Sequence, residues 1–434
     1  MSRNIASWKI IIPMVLYSAG MIFYSVLPRV GVIVISLLVY LYILKMLKKD
    51  NNNIDSLILL SIIAIPTSTI SIIGTNYGDL PLTWFNIIVL ILVMLIGIKG
   101  KLNAKYFVSI MLFGIFELMH SLFMPSLGNS LKQLLTIMLL LFAFLIGSYV
   151  RNYSYNDLTE KMSIYYLYGT VSVAVQVFLQ RFYIMATGHV IGHYAAMGSG
   201  RFAYAGLFGD YSFASLNIAT GALLIFLQYV NKRKISLIRF VLVEGIMLSA
   251  TLMVSARTGI FALAIVGLLY VILNFNKLNP RLVLVIIGIC IVAPSLAGRL
   301  LSIRGGQDLL DSSGRVEMYM EALKFFADKP MLGYGLGLEN LNKLTGLGAI
   351  HNFIIQYLVQ MGIIGTILFL IPFYIFIKQT RRNPGIYMWL FWLVMIGAMF
   401  IPDIVSSRFL YAVILLCMCR NLKSTYKCGG LYEA

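Results

Sequence analysis

The stretch from Asn231 to Lys277 reads NKRK-ISLIRFVLVEGIMLSATLMV-SARTG-IFALAIVGLLYVILNFNK. Two apolar runs of similar length flank Ser255-Ala256-Arg257-Thr258-Gly259. Hydropathy alone allows one long helix or a hairpin. The flanking charges decide between them. Lys232, Arg233 and Lys234 precede the block, and Lys277 and Arg281 follow it. Basic flanks belong on the cytoplasmic side of membrane spans, so two such flanks on one side require two crossings. The block predicts a transmembrane hairpin with Arg257 at its turn.

The same pattern extends in both directions. Apolar runs of 16 to 26 residues alternate with short polar breaks, near 10–27, 30–47, 56–74, 83–98, 106–124, 131–150, 162–185, 211–230, 240–255, 258–275, 282–300, 351–376, 385–401 and 404–419. Apolar residues make up 60% of the 434 and charged residues only 12%, against roughly 45–50% and about 25% in soluble domains. That excludes an ordinary soluble enzyme, a disordered chain and a nucleic-acid-binding domain. The expected fold is an all-α polytopic membrane protein of about fourteen transmembrane helices with a partly helical outer loop. Its expected parts are N-terminal helices over 1–185, an outer loop at 186–210, central helices over 211–300, a large outer loop at 301–350 and C-terminal helices over 351–434. Arg3 and Lys9 precede the first run without a small-residue cleavage site, so that run reads as a retained span.

The net charge of +18 has its first explanation in topology. With the N-terminus inside, 22 of the 34 Lys and Arg fall on the inner side and both termini are cytoplasmic. The inner set holds 14 Lys and 8 Arg, the outer set 4 Lys and 8 Arg. Topology does not explain the outer arginines, Arg29, Arg181, Arg201, Arg257, Arg299, Arg304, Arg315 and Arg408. A guanidinium is suited to bidentate phosphate binding in a partly dry site. The plainer reading, snorkelling to headgroups, covers about half of them.

Within 301–350, Val316, Met320, Leu323 and Phe326 fall near a 3.6 period, with Ser313 or Gly314 as cap and Asp328-Lys329-Pro330 as stop. Arg315 then lies in the first helical turn, where a cation opposes the dipole unless an anion binds there; the alternative is pairing with Asp311 or Glu317. Arg257 sits at an outer helix boundary with no acid near it in sequence, so a phosphate, a headgroup or a carbonyl is its expected partner. His351 opens the twelfth run, where a neutral imidazole suits a general base; capping its own helix with Asn352 is the alternative. Glu117 and His120 share a face of the fifth run, with an internal hydrogen bond as the simplest account, and Asp403 and Arg408 are expected to pair likewise.

Other patterns carry less. His189 and His193 are four apart in a Gly-rich segment with no third ligand, so they read as loop residues. Gly333-Tyr334-Gly335-Leu336-Gly337 lacks the Lys of a phosphate-binding loop and reads as a flexible hinge leading to His351. Cys290, Cys417, Cys419 and Cys428 form neither a zinc spacing nor a disulfide framework. No metal, cofactor or nucleotide site is expected.

His351-Asn352, nine residues, then Gly362-Ile363-Ile364-Gly365-Thr366 resembles the His-Asn…Gly-x-x-Gly signature of the O-antigen ligase and polymerase superfamily. Ser255 to Gly259 resembles its Ser-Arg-Thr stretch. Ser313-Gly314-Arg315 with Pro330…Gly333-Tyr334-Gly335 resembles its large outer loop. Arg201 with Gly206-Leu207-Phe208-Gly209-Asp210 resembles its earlier outer segment. The resemblance covers about 200–376. It departs at Ala256, where the family often has Ser; Ser255 is one residue back.

The resemblance implies a metal-independent, inverting glycosyltransferase of the bacterial inner membrane, its site facing the periplasm and its donor a glycan on undecaprenyl diphosphate. It implies His351 as base, Arg257, Arg315 and Arg201 as diphosphate ligands, and Asn352, Ser255, Gly362 and Gly365 in support. Besides undecaprenyl-diphosphate-linked oligosaccharides and the lipid bilayer, a chain-length regulator is a candidate partner; nucleic acid is not. The polymerase branch, which extends another lipid-linked repeat, is the closer likeness in the outer loop. A ligase acting on the lipid A core is the alternative. A lipid-linked-oligosaccharide flippase fits less well, because related halves are expected there and no repeat is visible.

Overall fold

The computed structural model describes residues 8–73, 82–153, 156–197, 201–231, 236–277, 315–381 and 384–419. The run at 282–300, Arg299, Arg304, Ser313, Gly314, Cys290, Cys428 and the basic cluster at 232–234 lie outside the described residues. Each apolar run within them is helical for most of its length.

The helices are α1 (Trp8–Gly20), α2 (Arg29–Leu47), α3 (Asn53–Ile63), α4 (Trp84–Ile98), α5 (Ala104–Ser121), α6 (Leu127–Tyr153) and α7 (Asn156–Thr187), then α8 (Tyr211–Val230), α9 (Leu237–Val254) and α10 (Arg257–Leu273). After the undescribed stretch come α11 (Arg315–Asp328), α12 (Leu338–Thr345), α13 (Phe353–Thr380), α14 (Met388–Ala398) and α15 (Phe409–Met418). Two short antiparallel pairs complete the order. Strand β1 (Ser71–Ile73) pairs with β2 (Leu82–Thr83), and β3 (Tyr194–Met197) pairs with β4 (Arg201–Tyr204), with Met197 opposite Arg201.

The protein is an all-α, multi-pass membrane protein. Among the described residues, α2, α6, α7, α8, α9 and α13 are long and apolar enough to cross a membrane. Others are shorter. Helix α3 has 11 residues, about 16 Å at 1.5 Å per residue, which alone falls short of a ~30 Å hydrocarbon core. The helix is interrupted where the sequence placed a turn: α9 is capped by Ser255, whose φ of 62° is left-handed, α10 starts at Arg257, and both helices pack on α8.

Helix α8 is the axis of the bundle. It packs against α7, α9, α10 and α14, and nearly all its side chains are buried. On α2, Val30, Val34, Leu38 and Leu41 are exposed, as expected for side chains facing lipid. Helix starts are satisfied locally: Asn52, Thr83, Asp210, Ser236 and Asn352 each accept a backbone N–H of the helix they precede.

The segment Pro330–Gly337 is not a hinge. It is fastened along a break in α13, where Gly362 has φ 61° and ψ −170°. Tyr334 N–H donates to Val359 O (2.9 Å) and Gly335 N–H to Gln360 O (2.8 Å), while Ile363 N–H donates to Pro330 O (2.8 Å) and Ile364 N–H to Met331 O (3.2 Å). The freed helical groups thus find partners in the inserted loop, which is what permits a break inside an apolar helix. Gly362 and Gly333 face the other segment's backbone so closely that a Cβ on either would collide with it. A hinge assignment fails because the glycines serve close approach and positive φ rather than motion. A second fastening lies nearby. Asn340 of α12 is fully buried; its Nδ2 donates to Ser130 Oγ (2.7 Å) and its Oδ1 accepts from Ser126 N–H (2.8 Å).

Two further pairings differ from expectation. Glu117 and His120 do not hydrogen-bond each other; Nδ1 and Oε2 stand 3.8 Å apart as a buried pair, with Glu117 packed on Gly365. Asp403 accepts from the Tyr357 hydroxyl (2.7 Å), whereas Arg408 donates to Ser68 O.

Candidate functional site

The segment before α8 is held from within the bundle. Gln176 and Gln180, fully buried on α7 and one turn apart, accept from Leu207 N–H (3.4 Å) and Gly206 N–H (2.9 Å). Gln180 Nε2 also donates to Ile191 O (2.6 Å) and His193 O (3.0 Å). These amides bring the chain to Asp210, whose Oδ1 accepts from Ser212 N–H (2.6 Å) and Phe213 N–H (3.1 Å) and starts α8.

The head of α10 is fixed to the same helix. Ser215 Oγ donates to Ala256 O (3.1 Å) and accepts from Gly259 N–H (3.2 Å). Arg257, half-buried at the first position of α10, is therefore set about a turn and a half along α8 from Asp210. Ser215 thus holds the tip through the backbone of Ala256 and Gly259.

His351 lies just before α13. Asn352 Oδ1 accepts from Ile354 N–H (3.1 Å) and Ile355 N–H (3.2 Å), so Asn352 is the cap and His351 is not needed for that role. Gln356 Oε1 accepts from Ile350 N–H (3.0 Å). From the other side, the Tyr319 hydroxyl of α11 donates to His351 O (2.7 Å). Arg315 opens α11 one turn before Tyr319 and on the same face.

The imidazole is half-buried. Burial pushes its pKa below the usual histidine value, the Arg315 charge pushes the same way, and Asp210 opposes both. The ring is therefore neutral at neutral pH and able to take a proton. Arg315 and Asp210 both lie within electrostatic reach of His351, although the three come from distant parts of the chain.

The remaining nominated residues sort as follows. Arg201 opens β4, nine residues before Asp210. Gly362 is at the break in α13, and Gly365 packs on Glu117. Arg29 donates to Ile72 O (3.1 Å), which together with Arg408 on Ser68 O gives two of the eight arginines a backbone partner. Asp210, Tyr319, Gln176 and Gln180 were not nominated from the sequence. Their one available signal was the Gln pair at i and i+4 on an apolar helix.

Residues 244–370 match the family model described as O-antigen ligase. That stretch is similar to the O-antigen ligase family, which supports the resemblance to the O-antigen polymerase and ligase superfamily. The superfamily domain takes in Arg257, Arg315, His351, Gly362 and Gly365, while Arg201 and Asp210 precede it. The matched family implies a glycosyltransferase-type enzyme. No curated protein matches the chain.

Proposed function

We propose that the protein is a polymerase of O-antigen or a related surface polysaccharide, working at the periplasmic face of the bacterial inner membrane. Its donor is a glycan on undecaprenyl diphosphate and its acceptor is the sugar of a second lipid-linked repeat. The acceptor hydroxyl oxygen attacks the anomeric carbon, and the bond from that carbon to the diphosphate oxygen breaks. The leaving undecaprenyl diphosphate keeps the bonding pair, and the hydroxyl proton passes to His351. Attack opposite the leaving group inverts the anomeric centre.

The observation that carries this reading is the neutral, half-buried His351 with Arg315 beside it. Diphosphate is already a good leaving group once its charge is balanced, and Arg257, Arg315 and Arg201 are assigned that task. Arg315 does double work here. It draws the anion, and its charge adds to burial, the larger cause, in holding the base unprotonated.

The test is chain extension by the purified protein on lipid-linked repeats. Products longer than the input support the polymerase; none, with a fully folded protein, counts against it. The description of the matching family model favours a second reading, ligation to lipid A core. A deletion strain separates the two: loss of a polymerase leaves core carrying one repeat, and loss of a ligase leaves bare core.

A further inference from the structure

We infer that Tyr319 is a positioning residue that ties the base His351 to the helix carrying Arg315, so that diphosphate binding and base placement are coupled through one turn of α11. This rests on the proposed role of His351. The bond itself is direct: the Tyr319 hydroxyl donates to the His351 carbonyl at 2.7 Å.

The placement of this bond sets it apart from ordinary packing. Helix α11 already docks through Ala322 against Tyr334, Leu341, Ile350 and Val359, which form one buried cluster. That contact needs no hydroxyl. The phenol adds a polar tie, and its acceptor belongs to the peptide of the base. On either side of His351 the chain is held by α13 itself, through Ile350 N–H on Gln356 and through the Asn352 cap. The tie from Tyr319 comes from a different element, the one whose first residue is Arg315.

Residues four apart on a helix are neighbours on one face. Arg315 bears on the Tyr319 hydroxyl and on the His351 ring alike. A phosphate drawn to Arg315 therefore acts on a rigid lever whose other arm holds the base. Among the described residues, the charged groups that act on His351 are Arg315 from α11 and Asp210 from the head of α8. Without the tie the loop around His351 is free to relax toward water, and the ring regains a more ordinary pKa.

Tyr319→Phe, in the full chain and in lipid nanodiscs, tests this with lipid-linked repeats as substrate. The expected result is a fall in kcat of about tenfold to a hundredfold, the scale of a small misplacement of a reacting group. KM for the donor stays within about twofold, and the acid limb of the kcat profile moves to higher pH. Tyr334→Phe, a control in the same cluster, leaves all three unchanged. An unaltered kcat and pH profile in Tyr319→Phe overturns the inference. So does an equal change in Tyr334→Phe, which would mean packing alone, or a rise in KM with kcat intact, which would mean a donor contact. His351→Ala separates the two layers: if it remains active, the base assignment falls; if it is dead while Tyr319→Phe behaves as wild type, only the tie falls.

Discussion

Replacing Gly362 by Ala should unfasten the large loop from α13. The backbone there has φ 61° and ψ −170°, a region essentially restricted to glycine, and holding another residue in it costs about 1–3 kcal/mol. The added Cβ would also run into the Met331 carbonyl group and Leu332 N. Those are backbone atoms and cannot swing aside as a side-chain tip can. Relieving the clash means parting the strands, which breaks the bonds from Ile363 N–H to Pro330 O and from Ile364 N–H to Met331 O. At about 1 kcal/mol each, and allowing that strain and bond loss partly substitute for one another, the expected destabilisation is about 2–4 kcal/mol. That is at the severe end for a single substitution. Membrane-inserted yield and thermal unfolding in detergent measure it, with chain extension as the functional readout. Gly128→Ala is the control, because a Cβ there meets nothing within 4 Å and lies on a helix. A Gly362→Ala protein with wild-type stability and activity would refute both the break and the fastening.

The other predictions concern chemistry. His351→Ala should abolish chain extension while membrane insertion is unchanged, checked by polysaccharide ladders beside the protein level; normal long chains would remove His351 from the base role. Arg257→Lys should also fail, because a point charge cannot reproduce a bidentate fork; full activity in the Lys variant would reduce Arg257 to a positive charge. The base must be deprotonated to work, so kcat/KM falls as pH drops through the His351 pKa, which lies below the ordinary histidine value. Arg315→Gln removes a charge that lowers that pKa, so the acid limb should move to higher pH, beyond any loss of donor affinity. A pH–rate series on both proteins decides it, and a shift to lower pH would contradict the electrostatic arrangement.

Much of the architecture could be read from periodic and charge signals, and the reasons are local. The helix break at Ser255 followed from the basic flanks at Lys232 and Lys277, which argued for two segments rather than one. Helix α11 followed from Val316, Met320, Leu323 and Phe326, because one apolar face repeats at helical spacing. The break in α13 was invisible. Gly362 sits in an uninterrupted apolar run, and glycine is ordinary in membrane helices, so nothing marked the loop that replaces the missing helical bonds. Gln176 and Gln180 were overlooked because buried amides on an apolar helix have no fixed partner until the fold supplies one, here the backbone of Gly206 and Leu207. Asp210 was seen only as part of a family stretch. Its influence on His351 arises across about 140 residues of chain, a distance that no local pattern spans. Glu117 and His120 lie three apart on one face, which suggested a hydrogen bond; the 3.8 Å separation shows how little spacing says about rotamers.

The double fastening of the cap limits how substrate traffic can run. One seam joins Pro330–Gly335 to α13, and another joins Asn340 to the first turn of α6 and the residue before it. A roof riveted at two edges does not lift like a trapdoor. On the proposed reading, a donor still anchored in the bilayer would enter from the side rather than from above, and the spent carrier would leave the same way.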